Sequence, residues 1–204
     1  QKLQRGTYVA FAGGPNLPGL VHLGTRVRKL RASQNAFASI NRDLVGVVES
    51  DTLVERQLHL ARVDRPYVSA IDEHVLALRL YPGLDLDIAF DAATRGGIRG
   101  VVVELYASAT GPDTDDRFSV TRFIHRCTAK GIVVGTTVVE SPESNGKTYE
   151  TTIAIQAAGG VFLRDMLTET AIVKMMWALA QPSNNFEAVR ELMLRPIAGE
   201  LNES

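Results

Sequence analysis

Polar side chains that could do chemistry gather in two loops, each of which follows an apolar run typical of a buried strand. The first loop, residues 106–116, follows VVVEL and carries hydroxyl groups at Ser108 and Thr110. The second loop, residues 141–148, follows VVGTTVVE. Because ligands bind at the carboxyl ends of the strands in an open parallel sheet, these loops are the candidate functional segments. The sequence places no His or Lys near the two hydroxyls to activate them, so it favours solvated loop groups over nucleophiles.

The second loop contains part of a phosphate-binding motif. That motif needs G-x-x-x-x-G-K-[ST] between a strand and a helix, because its glycines let backbone N–H groups surround a phosphate. Gly146, Lys147 and Thr148 match it. Ser141 stands where the first glycine should be, and Pro142 removes one backbone donor. The sequence therefore does not favour nucleotide binding.

The His, Cys and acidic residues do not form a metal-binding or nucleophilic pattern. The four histidines are scattered, and no pair has the i, i+4 spacing of two ligands on a helix. His125 and Cys127 point to different faces of a helix, and Cys127 falls on an apolar stripe typical of a core thiol. The carboxylates of Asp113, Asp115 and Asp116 could hold a divalent cation, but they lack the glycine and the terminal glutamate of a calcium loop. We therefore predict no metal, no cofactor and a solvated turn at this cluster.

Composition excludes several classes of protein. The 204 residues are 45% hydrophobic and 22% charged, close to soluble globular averages, with a net charge of −1. This balance offers no bulk attraction to nucleic acid or to an anionic membrane. The apolar runs are far shorter than the ~20 residues of a membrane span. Cys127 stands alone, so no internal disulfide is expected. No signal peptide is visible, and we expect a cytoplasmic location without nucleic-acid or membrane partners.

The first part of the chain predicts a β-hairpin. Thr7–Ala12 and Val21–Lys29 are strand-like runs, separated by the Gly/Pro-rich segment GGPNLPGL. An isolated hairpin is marginal in water, so it must pack on other structure. The segment DLVGVVES could form a short strand, and the residues after it are polar with mixed charge. We predict that residues 1–45 are a β-hairpin and the tail end of an N-terminal domain, and that residues 46–66 are a linker.

Residues 67–204 show alternating strand and helix patterns, which predict a C-terminal α/β domain. Its expected architecture is a three-layer α/β/α domain with a small parallel sheet, Rossmann-like in class. Thr168 is predicted to cap its helix, and Asn184 with Glu187 has capping-box spacing for the last helix. The predicted strands are His74–Tyr81, Gly100–Ala107, Gly131–Glu140 and Val161–Leu163, and the predicted helices are Leu86–Arg95, Ser119–Lys130, Thr151–Ala158, Thr168–Gln181 and a last helix ending near Leu194.

The order of these segments resembles the C-terminal half of the L-asparaginase (asparaginase/glutaminase) family. TRVRKLRASQNAFASIN is similar to the stretch that closes the family's N-terminal domain. VLALRLYPGLD, GGIRGVVVELYASATGP and CTAKGIVVGTTVVESPESNG resemble successive segments of its C-terminal domain. The most specific similarity is TYETTIAIQAAGGVFLRDMLTETAIVKMMWAL, where order, spacing and residue types agree along the segment.

The resemblance implies hydrolysis of the side-chain amide of asparagine, and in some members of glutamine. The family uses a Thr nucleophile and a Thr-Asp-Lys group without a metal, as a homodimer or a homotetramer. Its T-G-G-T-I and G-T-D-T motifs do not occur in these 204 residues, so no catalytic residue is assigned. Thr110, with Ser108 beside it, occupies the place of an Asn that completes a neighbour's site, and Glu143 lies where some members offer a Glu to the substrate amine.

These observations leave three hypotheses for function. The leading one is the C-terminal part of an asparaginase-like amidohydrolase, which converts L-asparagine and water to L-aspartate and ammonia. Such a part would contribute dimerisation and site completion, and would be inactive alone. One alternative is a non-catalytic regulatory module whose loops bind asparagine or aspartate. The other is the asparaginase-like subunit of a tRNA-dependent amidotransferase, which releases ammonia for glutaminyl-tRNA formation.

Overall fold

The computed structural model of the chain describes residues 3–14, 16–30, 36–50, 52–55, 67–114, 116–138 and 150–202. Contacts divide the chain into two units. The first comprises Gln1–Asp64 and Pro196–Ser204, and the second comprises Arg65–Arg195. The sequence assigned the last stretch of the chain to the C-terminal domain, whereas in the structure it belongs to the first unit.

Short antiparallel strands build the first unit. Strands β1, β2, β5 and β6 form one sheet in that order, and β3 pairs with β4 as a separate hairpin. The predicted β1–β2 hairpin is present, with Val9 opposite His22 in its register. The strands are β1 Tyr8–Ala12, β2 Gly19–Leu23, β3 Val27–Lys29, β4 Phe37–Ser39, β5 Gly46–Glu49 and β6 Thr52–Glu55.

The single strand predicted at Val21–Lys29 is wrong, because a 3₁₀ turn at Gly24–Arg26 separates β2 from β3. The Gly24 N–H donates to the Thr7 carbonyl at 2.8 Å, and a Cβ on Gly24 would lie 2.9 Å from that oxygen. Glycine therefore permits a backbone approach that any other residue would obstruct. The alternation of apolar and polar residues continues through the turn. The sequence pattern therefore gave no indication that the strand is interrupted there.

Part of the predicted linker, residues 46–66, is strand. β5 and β6 pair antiparallel, with Val47 opposite Val54 and Val48 opposite Leu53. Val48 and Leu53 pack against a small buried cluster of the first unit, formed by Val21, Leu23 and Val45. This burial explains why a segment of mixed composition is ordered. Residues 56–66 lie outside the described part of the chain.

The end of the chain is tied into the first unit by a buried arginine. Arg26 is fully buried, and its Nε donates to the Gly199 carbonyl at 2.8 Å. The neighbouring Thr25 hydroxyl donates to the Ala198 carbonyl at 2.9 Å. A buried guanidinium needs several acceptors, and the segment 196–202 supplies the Gly199 carbonyl and the Asn202 side-chain oxygen.

A buried histidine makes the stability of the first unit depend on pH. The Nδ1 atom of His22 lies 2.8 Å from the Ser39 hydroxyl, while Nε2 has no partner among the described residues. Burial lowers the pKa of His22 below its ordinary value of 6.5, so the folded chain holds the neutral ring. The unfolded chain binds the proton more readily, and stability is therefore lost as the pH falls below 6.5.

We expect hydrogen exchange in β2 to accelerate on acidification, and His22→Gln, which does not titrate, to remove most of that pH dependence. The matched control is His125→Gln, because His125 is exposed on a helix of the second unit. Equal acid sensitivity of the wild type and His22→Gln would contradict the assignment.

The second unit confirms the predicted fold class. Four parallel strands lie in the order β10-β9-β8-β7, between helices on both faces. Helices α1, α2 and α3 cover one face, while α4 and α5 cover the other. The strands are β7 Val75–Arg79, β8 Gly100–Leu105, β9 Val133–Val138 and β10 Val161–Phe162, and the helices are α1 Leu86–Arg95, α2 Val120–Ala129, α3 Glu150–Ala157, α4 Thr168–Leu179 and α5 Phe186–Leu194.

Glycines in the central strands allow Met175 of α4 and Leu163, after β10, to pack directly on the sheet. A Cβ on Gly100 in β8 would meet the Met175 side chain at 2.6 Å. A Cβ on Gly135 in β9 would meet Leu163 at 2.8 Å. Both strands are buried along their whole length, as their near-continuous apolar sequences predicted.

The predicted caps of α4 and α5 are each displaced by one residue. Leu167 is the N-cap of α4, and its apolar side chain cannot cap the helix. The Thr168 hydroxyl donates to the Glu104 carboxylate instead of acting as a cap. Asn185, not Asn184, caps α5 by accepting from the Ala188 N–H at 2.9 Å. The sequence located both helix starts but could not assign their side-chain partners.

Candidate functional site

The turn after β8 brings together the two hydroxyls singled out in the sequence. The Ser108 and Thr110 hydroxyl oxygens lie 2.7 Å apart. The Tyr106 N–H donates to the Thr110 carbonyl at 3.0 Å, and Ala109 between them is buried with φ +57°. Backbone hydrogen bonds between Tyr106 and both Ala109 and Thr110 close the turn, so the two hydroxyls are placed as a pair.

This pair can recognise a ligand but has no local means of activation. Ser108 is exposed and Thr110 is half-buried, so their free lone pairs and protons can reach a ligand. Within the described ranges, neither hydroxyl bonds to a His, Lys or carboxylate that would act as a base. The arrangement therefore suits hydrogen bonding to an amide or a carboxylate, rather than nucleophilic attack.

Two of the predicted features lie outside the described residues. Glu143 falls in the segment 139–149, as does the partial phosphate-binding motif at residues 146–148. Asp115 of the acidic cluster is also outside.

The rest of the acidic cluster is a turn that leads into α2. Asp116 accepts from the Phe118 N–H at 2.8 Å. Asp113 accepts from the hydroxyls of Ser119 and Thr121. In the described part of the chain, no group of three or more His, Cys, Asp or Glu side chains could hold a metal ion. An open cavity of about 460 Å³ beside Asp113 is lined by Asp113, Thr114, Ser119, Thr121, Arg122, His125 and Ala158.

Sequence reasoning missed a buried polar cluster at the same edge of the sheet. Glu104, near the end of β8, accepts from the Thr168 hydroxyl at 2.6 Å, and Thr137 lies 2.8 Å from that hydroxyl. The other carboxylate oxygen of Glu104 is 3.0 Å from Nε of Arg79, whose side chain is largely exposed. The Glu104 side chain is only 10% exposed. A carboxylate inside the apolar run VVVEL was the available signal, because buried charges require partners.

Cys127 is a core thiol, as the apolar stripe predicted. It is fully buried, and this burial raises the pKa of the thiol to about 12, against the opposing charge of Arg126. A protonated, inaccessible thiol does not react. We expect iodoacetamide to leave the folded chain unmodified near neutral pH and to label it once per chain after denaturation. Rapid labelling under native conditions would contradict the burial of Cys127.

The second unit is an α/β domain with a parallel sheet and a hydroxyl-bearing turn at the carboxyl edge of that sheet. Residues 74–193 match the Glutaminase/Asparaginase C-terminal domain family, and the chain belongs to that family. The likeness to solved structures extends beyond this range. The thermostable L-asparaginase from Thermococcus kodakarensis aligns with 98% of this chain and 58% of its own, with a TM-score of 0.80 at 30% identity.

The curated relatives are named as subunits of an amidotransferase rather than as asparaginases. The chain is 34% identical to the D subunit of the glutamyl-tRNA(Gln) amidotransferase of Sulfolobus acidocaldarius, over 90% of this chain and 41% of the relative. The protein of the same name from Metallosphaera sedula is 36% identical, with 90% and 42% covered. L-asparaginase I from Vibrio cholerae, with a TM-score of 0.68 and 18% identity, shares the fold over 90% of this chain and 55% of its own. The chain thus spans about two fifths of the length of these curated relatives.

None of the helices among the described residues is long and apolar enough to cross a bilayer.

Proposed function

We propose that this chain is the C-terminal part of an asparaginase-like subunit of a tRNA-dependent amidotransferase, which releases ammonia from a side-chain amide. The observation that carries the proposal is the similarity, over 90% of the chain, to proteins named as the D subunit of glutamyl-tRNA(Gln) amidotransferase. It supports the amidotransferase hypothesis over a stand-alone asparagine hydrolase. The family resemblance adds assembly as a homodimer or a homotetramer.

The part played by this chain is to complete a site rather than to attack the amide. The 204 residues lack the family's Thr nucleophile motifs, and covalent amide hydrolysis needs an activated nucleophile with a base. The Ser108–Thr110 turn offers two oriented hydroxyls at the carboxyl edge of the sheet. A hydroxyl replaces one hydrogen bond of an Asn amide, but not its paired donor and acceptor. We therefore propose that Ser108 and Thr110 together supply what the amide supplies in other members, and that Glu143 approaches the substrate amine.

Two chimeric enzymes test this proposal. In the first chimera, this chain replaces the matching region of the Sulfolobus acidocaldarius amidotransferase relative. In the second, it replaces the matching region of the Thermococcus kodakarensis L-asparaginase. We expect the first chimera, with its partner subunit, to amidate glutamyl-tRNA(Gln) from glutamine. The second should recover less of its host's asparagine hydrolysis. Recovery in the asparaginase host alone would favour the stand-alone hydrolase.

The role of the turn is tested in the first chimera by the double substitution Ser108→Ala/Thr110→Ala. We expect ammonia release to fall by about tenfold or more, in line with the loss of one or two ligand hydrogen bonds. Ser183→Ala, at an exposed hydroxyl between α4 and α5, is the matched hydroxyl control. Ammonia release from glutamine by the isolated 204-residue chain would contradict the site-completion role.

A further inference from the structure

Residues 67–72 lie against the carboxyl-terminal end of α4 without forming a helix or a strand, and we call this segment the strap. At its first end, the Val68 N–H donates to Oε1 of Gln181 at 3.2 Å, and Nε2 of Gln181 donates to the Val68 carbonyl at 3.1 Å. The indole N–H of Trp177 donates to the same carbonyl at 3.1 Å, and the ring of Tyr67 meets the Trp177 ring edge-on. Gln181 is only 4% exposed, so its amide is held in place.

The other end of the strap is bound through Asp72. Its N–H donates to the Met176 carbonyl at 2.9 Å. That carbonyl is one of the last four of α4, which lack an i+4 partner inside the helix. The Asp72 carboxylate pairs with Arg99 and accepts from the His74 N–H at 3.0 Å. Each end of the strap is therefore bound by hydrogen bonds to the domain beneath it.

Between its two ends the strap makes few stabilising contacts. Ser69, Ala70 and Ile71 are exposed, and within the described ranges no hydrogen bond involves their backbone groups. Val68 and Ile71 are 41% and 57% exposed, so little apolar surface is buried beneath the strap. Segments with few buried apolar contacts and exposed backbone open at a free energy well below that of global unfolding.

We propose that the strap opens as one unit while the parallel sheet and α4 stay folded. Opening uncovers the Gln181 amide and the indole N–H of Trp177, both of which bind backbone atoms of the strap. The docking position therefore recognises an extended chain rather than a particular side chain. Because the second unit begins at Arg65, opening also adds residues 67–72 to the connection between the two units. The strap is thus a device that changes the length of this connection.

Hydrogen exchange followed by NMR measures the opening directly, because Trp177 is the single tryptophan of the chain and its indole N–H donates to the strap. We expect this indole N–H and the N–H groups of Val68 and Asp72 to share one protection factor. That factor should be about a hundredfold or more below the protection of the Val102 N–H in β8. Protection equal to that of Val102 would overturn the proposal, because the strap would then open only when the whole domain unfolds.

A substitution at one end tests whether the strap opens as one unit. Gln181→Met removes both hydrogen bonds to Val68 and keeps a side chain of similar length. We expect the protection of the Trp177 indole N–H and of the distant Asp72 N–H to fall together by about tenfold, the effect of losing hydrogen bonds of ordinary strength. A loss confined to the Val68 end would show two independent contacts rather than one strap, and would overturn the proposal.

Two further measurements separate opening of the strap from damage to the fold. The Val102 N–H should keep its protection in Gln181→Met, and an equal loss there would overturn the proposal by showing that the strap is part of the folded core. Gln156→Met, at an exposed glutamine of α3, is the matched control and should leave all of these protection factors unchanged. None of these readouts depends on amide hydrolysis, so the strap is tested independently of the proposed function.

Discussion

Replacing Arg26 with alanine is expected to destabilise the first unit by about 3–5 kcal/mol, a large part of the stability of a small unit. Arg26 is fully buried and donates to the Gly199 carbonyl and to the Asn202 side chain. Alanine leaves these acceptors without their donor and leaves the space of a long side chain empty. We expect hydrogen exchange in β2 and in residues 196–202 to accelerate by about a hundredfold or more.

Two variants make the Arg26 prediction specific. Arg26→Lys retains the charge but not the planar fork, so its effect should be intermediate. Arg5→Ala, at an exposed arginine of the same unit, should leave exchange unchanged. Normal protection of residues 196–202 in Arg26→Ala would show that this segment is held by other contacts.

The second unit was predictable because its signals are local. The stripe of Val120, Phe123, Ile124 and Cys127 repeats at helical spacing, and all four side chains are buried on α2. Continuous β-branched runs predicted β8 and β9, and alternation of strands with helices fixed the parallel sheet. Such elements bury the residues that their own sequence period places on one face.

The first unit was only partly predictable because long-range contacts order it. Arg26 and its acceptor Gly199 are 173 residues apart in the chain, and no periodicity links them. The pairing of β5 with β6 likewise depends on burial of Val48 and Leu53 against β2. A polar, mixed-charge segment therefore indicated a linker where tertiary packing forms a sheet.

The candidate site, too, was only partly predictable from the sequence. The rule for parallel sheets pointed to the turn of Ser108 and Thr110 from sequence alone. It could not find the partner of Glu104, since Thr168 lies 64 residues further along the chain. Nor does any sequence pattern predict a left-handed backbone at Ala109, because glycine or asparagine usually marks that conformation.

Replacing Glu104 with leucine is expected to destabilise the second unit by about 3 kcal/mol. The substitution leaves the buried hydroxyl of Thr168 without its charged acceptor, a hydrogen bond of about 1.5–3 kcal/mol, and changes the shape of a packed site. The contact with Arg79 contributes little, because the Arg79 side chain is 73% exposed. Urea unfolding followed by the fluorescence of Trp177, on α4, measures the change.

Glu104→Gln separates the acceptor from the charge. The amide oxygen can still accept from Thr168, so the loss should be about 1 kcal/mol. Glu73→Gln, at an exposed glutamate just before β7, is the control and should have no effect. If Glu104→Leu were as stable as Glu104→Gln, the carboxylate would not be needed as an acceptor.

A double-mutant cycle of Glu104→Leu with Thr168→Val isolates the bond between these two side chains. We expect a coupling energy of about 1–2 kcal/mol, because removing both partners leaves neither group unpaired. Since Glu104 lies two residues before Tyr106, whose carbonyl accepts from the Ala109 N–H at 2.8 Å, the single variant Glu104→Leu should also speed exchange at Ala109. Strict additivity of the two substitutions, with normal protection of Ala109, would show that the cluster neither stabilises the sheet edge nor positions the Ser108–Thr110 turn.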